Sequence, residues 1–237
     1  MTPPPKPRRR RSSVLISAVI FDFDGVLADT ERLHLLAYQT VFAELGRTLD
    51  AADYYARYMG FGTDREAVER FVDEQGLTMT PAEVMGLAAR KVAAYRVLFS
   101  RGDALFPWSR GCVERLQPHF PLAIASGSLH GEVESIIRAG GLIESFRAIV
   151  GADDVPRAKP APDLYLEAAR RLGVDPAQAV AIEDSLWGLE AARTAGLRTI
   201  AVTTSLSAEA LRPHAELVIA SLDEVTLDWL ESMHNGS

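Results

Sequence analysis

The chain's first long apolar run covers residues 14–21, interrupted only by Ser17. It stops at Asp22, and a second acid, Asp24, follows one residue later. A nearly continuous apolar run of this length predicts a strand buried on both faces, with the two acids at its exit from the core. Gly25 then lets the backbone turn away. Ligands of open α/β sheets bind outside the carboxyl ends of the strands, which is where these carboxylates would stand. The pattern taken alone also fits an edge strand carrying two solvated acids.

After Thr30 the period becomes helical. Leu33, Leu36, Ala37, Val41, Phe42 and Leu45 recur at three and four, and Gly46 follows as a C-cap. The chain reads helical from there to about residue 99, with no clear strand. A helix over 64–75 carries Ala67, Val68, Phe71 and Val72 on one face, and Thr80-Pro81-Ala82-Glu83 opens a long one with a capping box and a proline at its first position. From Pro107 onward strands and helices alternate. Helices are predicted at 109–116, 131–139, 162–172 and 185–195, and strands at 121–125, 148–151, 179–182, 199–202 and 217–219. Asp175 begins a short turn. Such alternation implies parallel βαβ units, so the helical block is an insertion into the first crossover. No internal repeat is present.

Composition narrows the class. The 237 residues are 48% hydrophobic and 24% charged, ordinary for a soluble globular protein long enough to bury a sizeable core. A net charge of −7 argues against general nucleic-acid binding, which relies on Lys and Arg. Cys112 is the only cysteine, which excludes an intrachain disulfide and a cysteine-based zinc site. Residues 1–13 combine prolines with Lys6 and Arg8 to Arg11 and read as a disordered, solvated basic tail. The apolar run behind that tail is followed at once by acids and lacks a convincing cleavage site, so it is a core strand and not a signal peptide. No run has the length of a membrane span, and a cytoplasmic location is expected.

Four predicted strand ends carry or lead into polar residues: Asp22 with Asp24, Ser126, Lys159 in the loop after the third strand, and Glu183 with Asp184. Parallel strands share one carboxyl edge, so these residues converge there. Four clustered carboxylates repel one another unless a cation sits among them, and hard oxygen ligands suit Mg2+. Taken singly, Ser126 and Lys159 would be ordinary loop residues, and Glu183 and Asp184 could simply favour a helix N-terminus. Their coincidence at one sheet edge points to a site.

The segments Asp22-Phe23-Asp24-Gly25-Val26-Leu27-Ala28-Asp29-Thr30, Ile124-Ala125-Ser126-Gly127-Ser128, Lys159-Pro160-Ala161-Pro162-Asp163 and Ile182-Glu183-Asp184-Ser185 resemble, in order, the four signature motifs of the haloacid dehalogenase (HAD) superfamily. The early helical insert is similar to that of the beta-phosphoglucomutase-like branch. The resemblance implies an α/β protein with a Rossmann-like parallel sheet core, residues 14–30 and 107–237, and an inserted all-helical cap domain, residues 31–106. It implies Asp22 as the nucleophile that forms an aspartyl-phosphate and Asp24 as the acid and base. Ser126, Gly127 and Lys159 would bind the phosphoryl group. Mg2+ would be held by Asp22, Asp24 through its backbone carbonyl, Asp184, and Glu183 directly or through water. An acid two residues after the nucleophile sets the chain apart from the dehalogenases themselves.

A helical cap implies that substrate selection lies between residues 31 and 106. His34 stands where related mutases carry a histidine that assists the acid/base Asp, though it also fits a solvated histidine. Gly60-Phe61-Gly62-Thr63-Asp64-Arg65 resembles the specificity loop, with Arg65 reaching in from further along than usual. Lys91 is a substrate contact or, as its helical position favours, a surface lysine. Trp108 and Trp187 are expected to pack. Leu129 and His130 stand where the mutases place a basic residue and an amide for a second phosphate. That departure favours a phosphatase acting on a small phosphorylated metabolite, with a sugar-phosphate mutase as the alternative. A catalytically silent binding protein would have lost Asp22, Asp24, Lys159 or Asp184, and none is lost. A nucleotide-binding Rossmann protein would carry a Gly-x-Gly-x-x-Gly turn, which is missing. Oligomeric state is not legible in the residues.

Overall fold

The computed structural model describes residues 15–58, 64–99 and 104–232. The basic tail and residues 60–63 of the specificity-loop segment lie outside them. Six strands, β1 (Ala18–Phe21), β2 (Leu122–Ala125), β3 (Ala148–Val150), β4 (Ala179–Glu183), β5 (Arg198–Val202) and β6 (Leu217–Ile219), form one sheet in the order β3-β2-β1-β4-β5-β6. Every pairing is parallel. The chain builds outward from β1 to β3, returns to lay β4 on the other side of β1, and continues to β6. This reversal opens a crevice at the carboxyl ends of β1 and β4. Phe21 pairs with Ile182, and the Asp22 N–H donates to the Ile182 carbonyl at 2.9 Å. Asp22 and the pair Glu183 and Asp184 therefore leave the sheet side by side.

The alternation of side chains along β1 divides the core. Val19 and Phe21 face a cluster with α5 (Ser109–Leu116) and α6 (His130–Ala139), through Cys112, Val113, Leu116, Val133, Ile136 and Ile137. Ala18 and Ile20 face α7 (Asp163–Leu172) and α8 (Leu186–Thr194) on the other side. There the sheet offers mainly alanines, Ala123, Ala125, Ala179 and Ala181, and Tyr165 of α7 is buried against them. Two short helices, α9 (Ala208–Leu211) and α10 (Leu227–Ser232), complete the C-terminal half.

The elements predicted from Pro107 onward lie within a residue or two of those observed, while α9 and α10 are not among the predicted elements and the first strand differs. The strand expected over 14–21 is confined to Ala18–Phe21, and Leu15 is exposed. Its neighbour sets the limit: Ala18 pairs with Ala179, the first residue of β4, and the Ser17 N–H makes the last contact on that side, to the Gln178 carbonyl at 2.7 Å. Asp175 accepts from the Ala177 N–H and opens a 3-10 turn over Pro176–Gln178, as expected. Trp187 is a correction. It is 64% exposed at the start of α8, whose inward face is taken by Leu189, Ala191 and Ala192. Trp108 stacks on Phe106 with ring centroids 4.7 Å apart.

Between β1 and β2 stand α1 (Thr30–Ala43), α2 (Ala51–Arg57), α3 (Asp64–Glu74) and α4 (Pro81–Phe99). They bury a cluster of their own, in which the Phe42 and Phe71 rings stack 3.6 Å apart. The α4 capping box is formed: the Thr80 N–H donates to Glu83 Oε2 at 2.7 Å, and the Glu83 N–H donates to Thr80 Oγ1 at 3.3 Å. Entry and exit of this block are tied together. The Asp29 N–H donates to the Ala104 carbonyl at 2.7 Å, and the Phe106 N–H and Ser109 hydroxyl both donate to the Leu27 carbonyl. Phe71→Ala, which empties the centre of the helical cluster, is expected to lower the unfolding free energy by about 3–5 kcal/mol in urea titration. Thr80→Ala, which removes only a cap, is expected to cost about 1 kcal/mol.

Candidate active site

The first strand ends at Phe21, and Asp22 is the next residue, 7% exposed at its side chain in the crevice beside β4. The Lys159 Nζ lies 2.7 Å from Asp22 Oδ1 and 2.6 Å from Glu183 Oε1, so one ammonium bridges the two strand ends. The contact to Asp22 is one of charge without hydrogen-bond alignment, and Oδ1 remains a buried oxygen with no hydrogen bond. Glu183 is saturated by comparison. Its Oε1 accepts from Lys159 and from the Tyr165 hydroxyl at 3.0 Å, and its Oε2 accepts from the N–H groups of Asp184 and Ser185 and from the Ser185 hydroxyl.

One oxygen from each of Asp22, Glu183 and Asp184 lies within 4.8 Å of the others, and all three residues are buried. Burial, then the neighbouring Glu183, raises the Asp22 carboxyl well above its ordinary value. The same two causes push Asp184 up to about 7. Burial works against ionisation of Glu183 as well, but Lys159 and the Ser185 donors outweigh it and hold that group down. Lys159 is held above the ordinary lysine value, since Asp22 and Glu183 overcome the cost of its burial. The site thus has one committed cation for three close carboxylates. Three close carboxylates that share one ammonium, all of them oxygen donors, fit a hard divalent cation. Two glycines make the crowding possible. A Cβ on Gly25, which holds φ +80, would sit 1.8 Å from Asp184 Oδ2, and one on Gly188 would sit 1.5 Å from Glu183 Oε1.

Asp24 points elsewhere. Its carboxylate accepts from Thr30 Oγ1 at 2.7 Å, Ser126 Oγ at 3.1 Å and Ser128 Oγ at 2.7 Å. Three hydroxyls from the start of α1 and the end of β2 fix its direction, and its side chain stands outside the group of three acids. Ser126 is fully buried and also accepts the Ser128 N–H, so its hydroxyl is engaged with Asp24. Gly127 lies exposed on the wall of a cavity of about 870 Å3 that Asp22, Asp24, Lys159 and Asp184 also line. Phe106 and Trp108 also line it.

The helical block contributes a second cavity of about 280 Å3, which shares Asp24, Thr30 and Glu31 with the first. His34 lines it, half-buried, with Nδ1 2.7 Å from Lys91 Nζ and its ring stacked on Tyr95. Burial and then Lys91 push the imidazole down to about 4, so neutral Nδ1 accepts the lysine proton. Lys91 corrects the expectation of a surface lysine. It is 0% exposed, paired with Asp64 and seated against the faces of Tyr38 and Tyr95, because its turn of α4 faces α1. Arg65 stays exposed on α3 in a pair with Glu69 at 2.9 Å and lines neither cavity. An i,i+4 carboxylate is a closer partner than anything across the cavity.

Several contributing residues escape sequence reasoning. Thr30 and Ser128 sit inside the recognised segments, where their hydroxyl chemistry was a usable signal. Ser205 donates to Asp184 Oδ2 and Thr204 to the Gly25 carbonyl; both follow β5 at the same carboxyl edge. Tyr165 and Asp64 carry no local signal, since their partners lie 18 and 27 residues away.

No helix among the described residues is long and apolar enough to cross a membrane. The chain is 36% identical over 193 residues to Protein CbbY of Cereibacter sphaeroides, covering 78% of this chain and 84% of that protein. It is 32% identical over 186 residues to the fructose-1-phosphate phosphatase YqaB of Escherichia coli, covering 78% and 96%. A putative beta-phosphoglucomutase from Thermotoga maritima superposes with a TM-score of 0.77 at 30% identity, over 91% of this chain and 99% of that one. The model of the haloacid dehalogenase-like hydrolases matches residues 19–202, from the second residue of β1 to the last of β5. With the acid-bearing edges of β1 and β4 both inside that match, the chain belongs to the haloacid dehalogenase-like hydrolase family.

Proposed function

We propose that the protein is a Mg2+-dependent phosphatase that hydrolyses a small phosphate monoester, a sugar phosphate, through an aspartyl-phosphate on Asp22. The observation that carries this reading is the unequal treatment of two acids one residue apart. Asp22 keeps a carboxylate oxygen without a hydrogen bond beside Lys159, whereas Asp24 is aimed away by three hydroxyls. One is dressed as a nucleophile and the other as a proton carrier.

An Asp22 oxygen attacks phosphorus and the ester bond to the leaving oxygen breaks, with Asp24 supplying the proton that oxygen needs. Asp24 then takes a proton from water as the water oxygen attacks the aspartyl-phosphate, releasing inorganic phosphate and restoring Asp22. Lys159 and the Gly127 backbone bind the phosphoryl oxygens. Asp22 and Asp184, with the Asp24 backbone carbonyl, would hold Mg2+, and the filled oxygens of Glu183 make it the anchor of Lys159. When bound, the cation lowers the repulsion between an anionic nucleophile and an anionic substrate. The block of α1 to α4 acts as a cap domain over this site, with His34 and Lys91 on its inner surface. Similarity to a named sugar-phosphate phosphatase supports the substrate class. Similarity to a putative beta-phosphoglucomutase keeps mutase activity as the second reading.

Asp22→Asn is expected to reduce Mg2+-dependent phosphate release from an aryl phosphate by more than about a thousandfold. Turnover within a few-fold of the parent protein would remove Asp22 from the nucleophile's role. Incubation with hexose 1-phosphates is expected to yield free phosphate; hexose 6-phosphate without free phosphate would establish the mutase. The metal can be tested without turnover. Asp184 and Asp22 both ionise in the folded chain only above their ordinary range, so in metal-free protein ionisation removes stability as pH rises, for Asp184 up through about 7. Mg2+ binds the ionised forms and reverses that loss. Saturating Mg2+ is therefore expected to raise Tm by roughly 5 °C at pH 8 and much less at pH 5. Equal shifts at both pH values would place the cation elsewhere.

A further inference from the structure

The smaller cavity has a charge balance that bears on which phosphate ester can enter. Among the described residues four carboxylates line it, Asp24, Glu31, Asp64 and Glu132, against two cations, Lys91 and Arg96. His34 adds no positive charge, since burial and Lys91 hold its imidazole neutral above about pH 4. Lys91 is already committed. It is fully buried, donates to Asp64 and to His34 Nδ1, and turns its remaining surface to the rings of Tyr38 and Tyr95, 4.5 and 5.5 Å away. It neutralises Asp64 and is not a free receptor for an incoming anion. That leaves exposed Arg96 against Asp24, Glu31 and exposed Glu132.

The phenol of Tyr95, on the cavity wall, is raised first by burial and then by Asp24, Glu132, Glu31 and Asp64. Protonation of Asp24 as the acid still leaves the wall with an excess of carboxylate. The cavity, at about 280 Å3, holds a small polyhydroxyl group and is lined by acceptors that hydroxyl or ammonium protons can meet. A second phosphate or a carboxylate on the leaving group would enter a negative, partly desolvated chamber whose buried cation is taken.

We propose that this chamber selects phosphate esters whose leaving group is a neutral polyol or bears an amine, and rejects esters whose leaving group carries a second anion. Glu31 and Glu132 are its specificity-determining residues. The inference rests on the phosphatase reading for the position of the leaving group, but it can be tested by binding alone. Glucose 6-phosphate, glucosamine 6-phosphate and 6-phosphogluconate place a neutral, a cationic and an anionic group on one carbon frame. Their affinities for Asp22→Asn protein with Mg2+ can be measured by calorimetry. The glucosamine ester is expected to bind at least as tightly as the glucose ester, and 6-phosphogluconate about tenfold or more weakly. Adding Glu132→Gln is expected to narrow the gap between the glucose ester and 6-phosphogluconate about threefold or more. Equal affinities, no binding of the glucose and glucosamine esters, tighter binding of 6-phosphogluconate, or a gap unchanged in both Glu132→Gln and Glu31→Gln would overturn the proposal. Absent phosphate release by the parent protein, with the binding order intact, would instead strike the phosphatase reading and leave the charge selection standing.

Discussion

The Lys159 ammonium, set between Asp22 and Glu183 at the ends of β1 and β4, is the contact on which the site is built. The order in which strands are added reverses between those two parallel strands, so their acids arrive in the same crevice with little water to screen them. Unpaired buried charges are far more costly than paired ones. A lysine from the loop after β3 bridges two of the three carboxylates and leaves the group short of positive charge. That shortage is what a divalent cation would meet. The same crowding explains Gly25 and Gly188, because any larger residue at either position would occupy the space of an acid's oxygen.

Donor supply then separates acids that are chemically alike. Glu183 receives donors on both oxygens and serves as a fixed anion. Asp22 faces the ammonium with an oxygen that has no hydrogen bond, and Asp24 is turned by hydroxyls from two separate elements. These differences arise from the strand ends and loops around the acids, and for Asp22 and Glu183 the low-dielectric crevice converts them into opposite shifts of proton affinity. Asp24 also belongs to both cavities, so among the acids at the strand ends it is the one the helical block shares. The paired backbone bonds at Asp29 with Ala104 and Phe106 with Leu27 set where that block begins and ends above the sheet.

Much of this was legible in the residues alone. Alternating strand and helix periods determine a parallel sheet with two covered faces, and the helical stretch after Thr30 had no place in that sheet except as an insertion. Convergence of Asp22, Lys159, Glu183 and Asp184 followed from topology, since parallel strands deliver their ends to one edge whatever separates them in sequence. What periodicity cannot supply is the depth and partner of a single polar side chain. Lys91 read as a substrate contact or, in preference, a surface lysine, yet Asp64, His34 and two tyrosine rings give its ammonium a buried seat. Trp187 read as core, while smaller neighbours had already filled the inward face of α8.

The opening stretch divides along the same line. Its residue order alone determined that an apolar strand ends in two acids followed by a glycine turn, because burial and backbone freedom are properties of residue types. Only the tertiary structure decided that Asp22 would face an ammonium and Asp24 three hydroxyls, since those partners come from β2, α1 and the loop after β3. The charge of the chamber beside Asp24 was likewise decided in three dimensions. Its acids and cations lie on different helices, and a sum over neighbours exists only once the chain has folded.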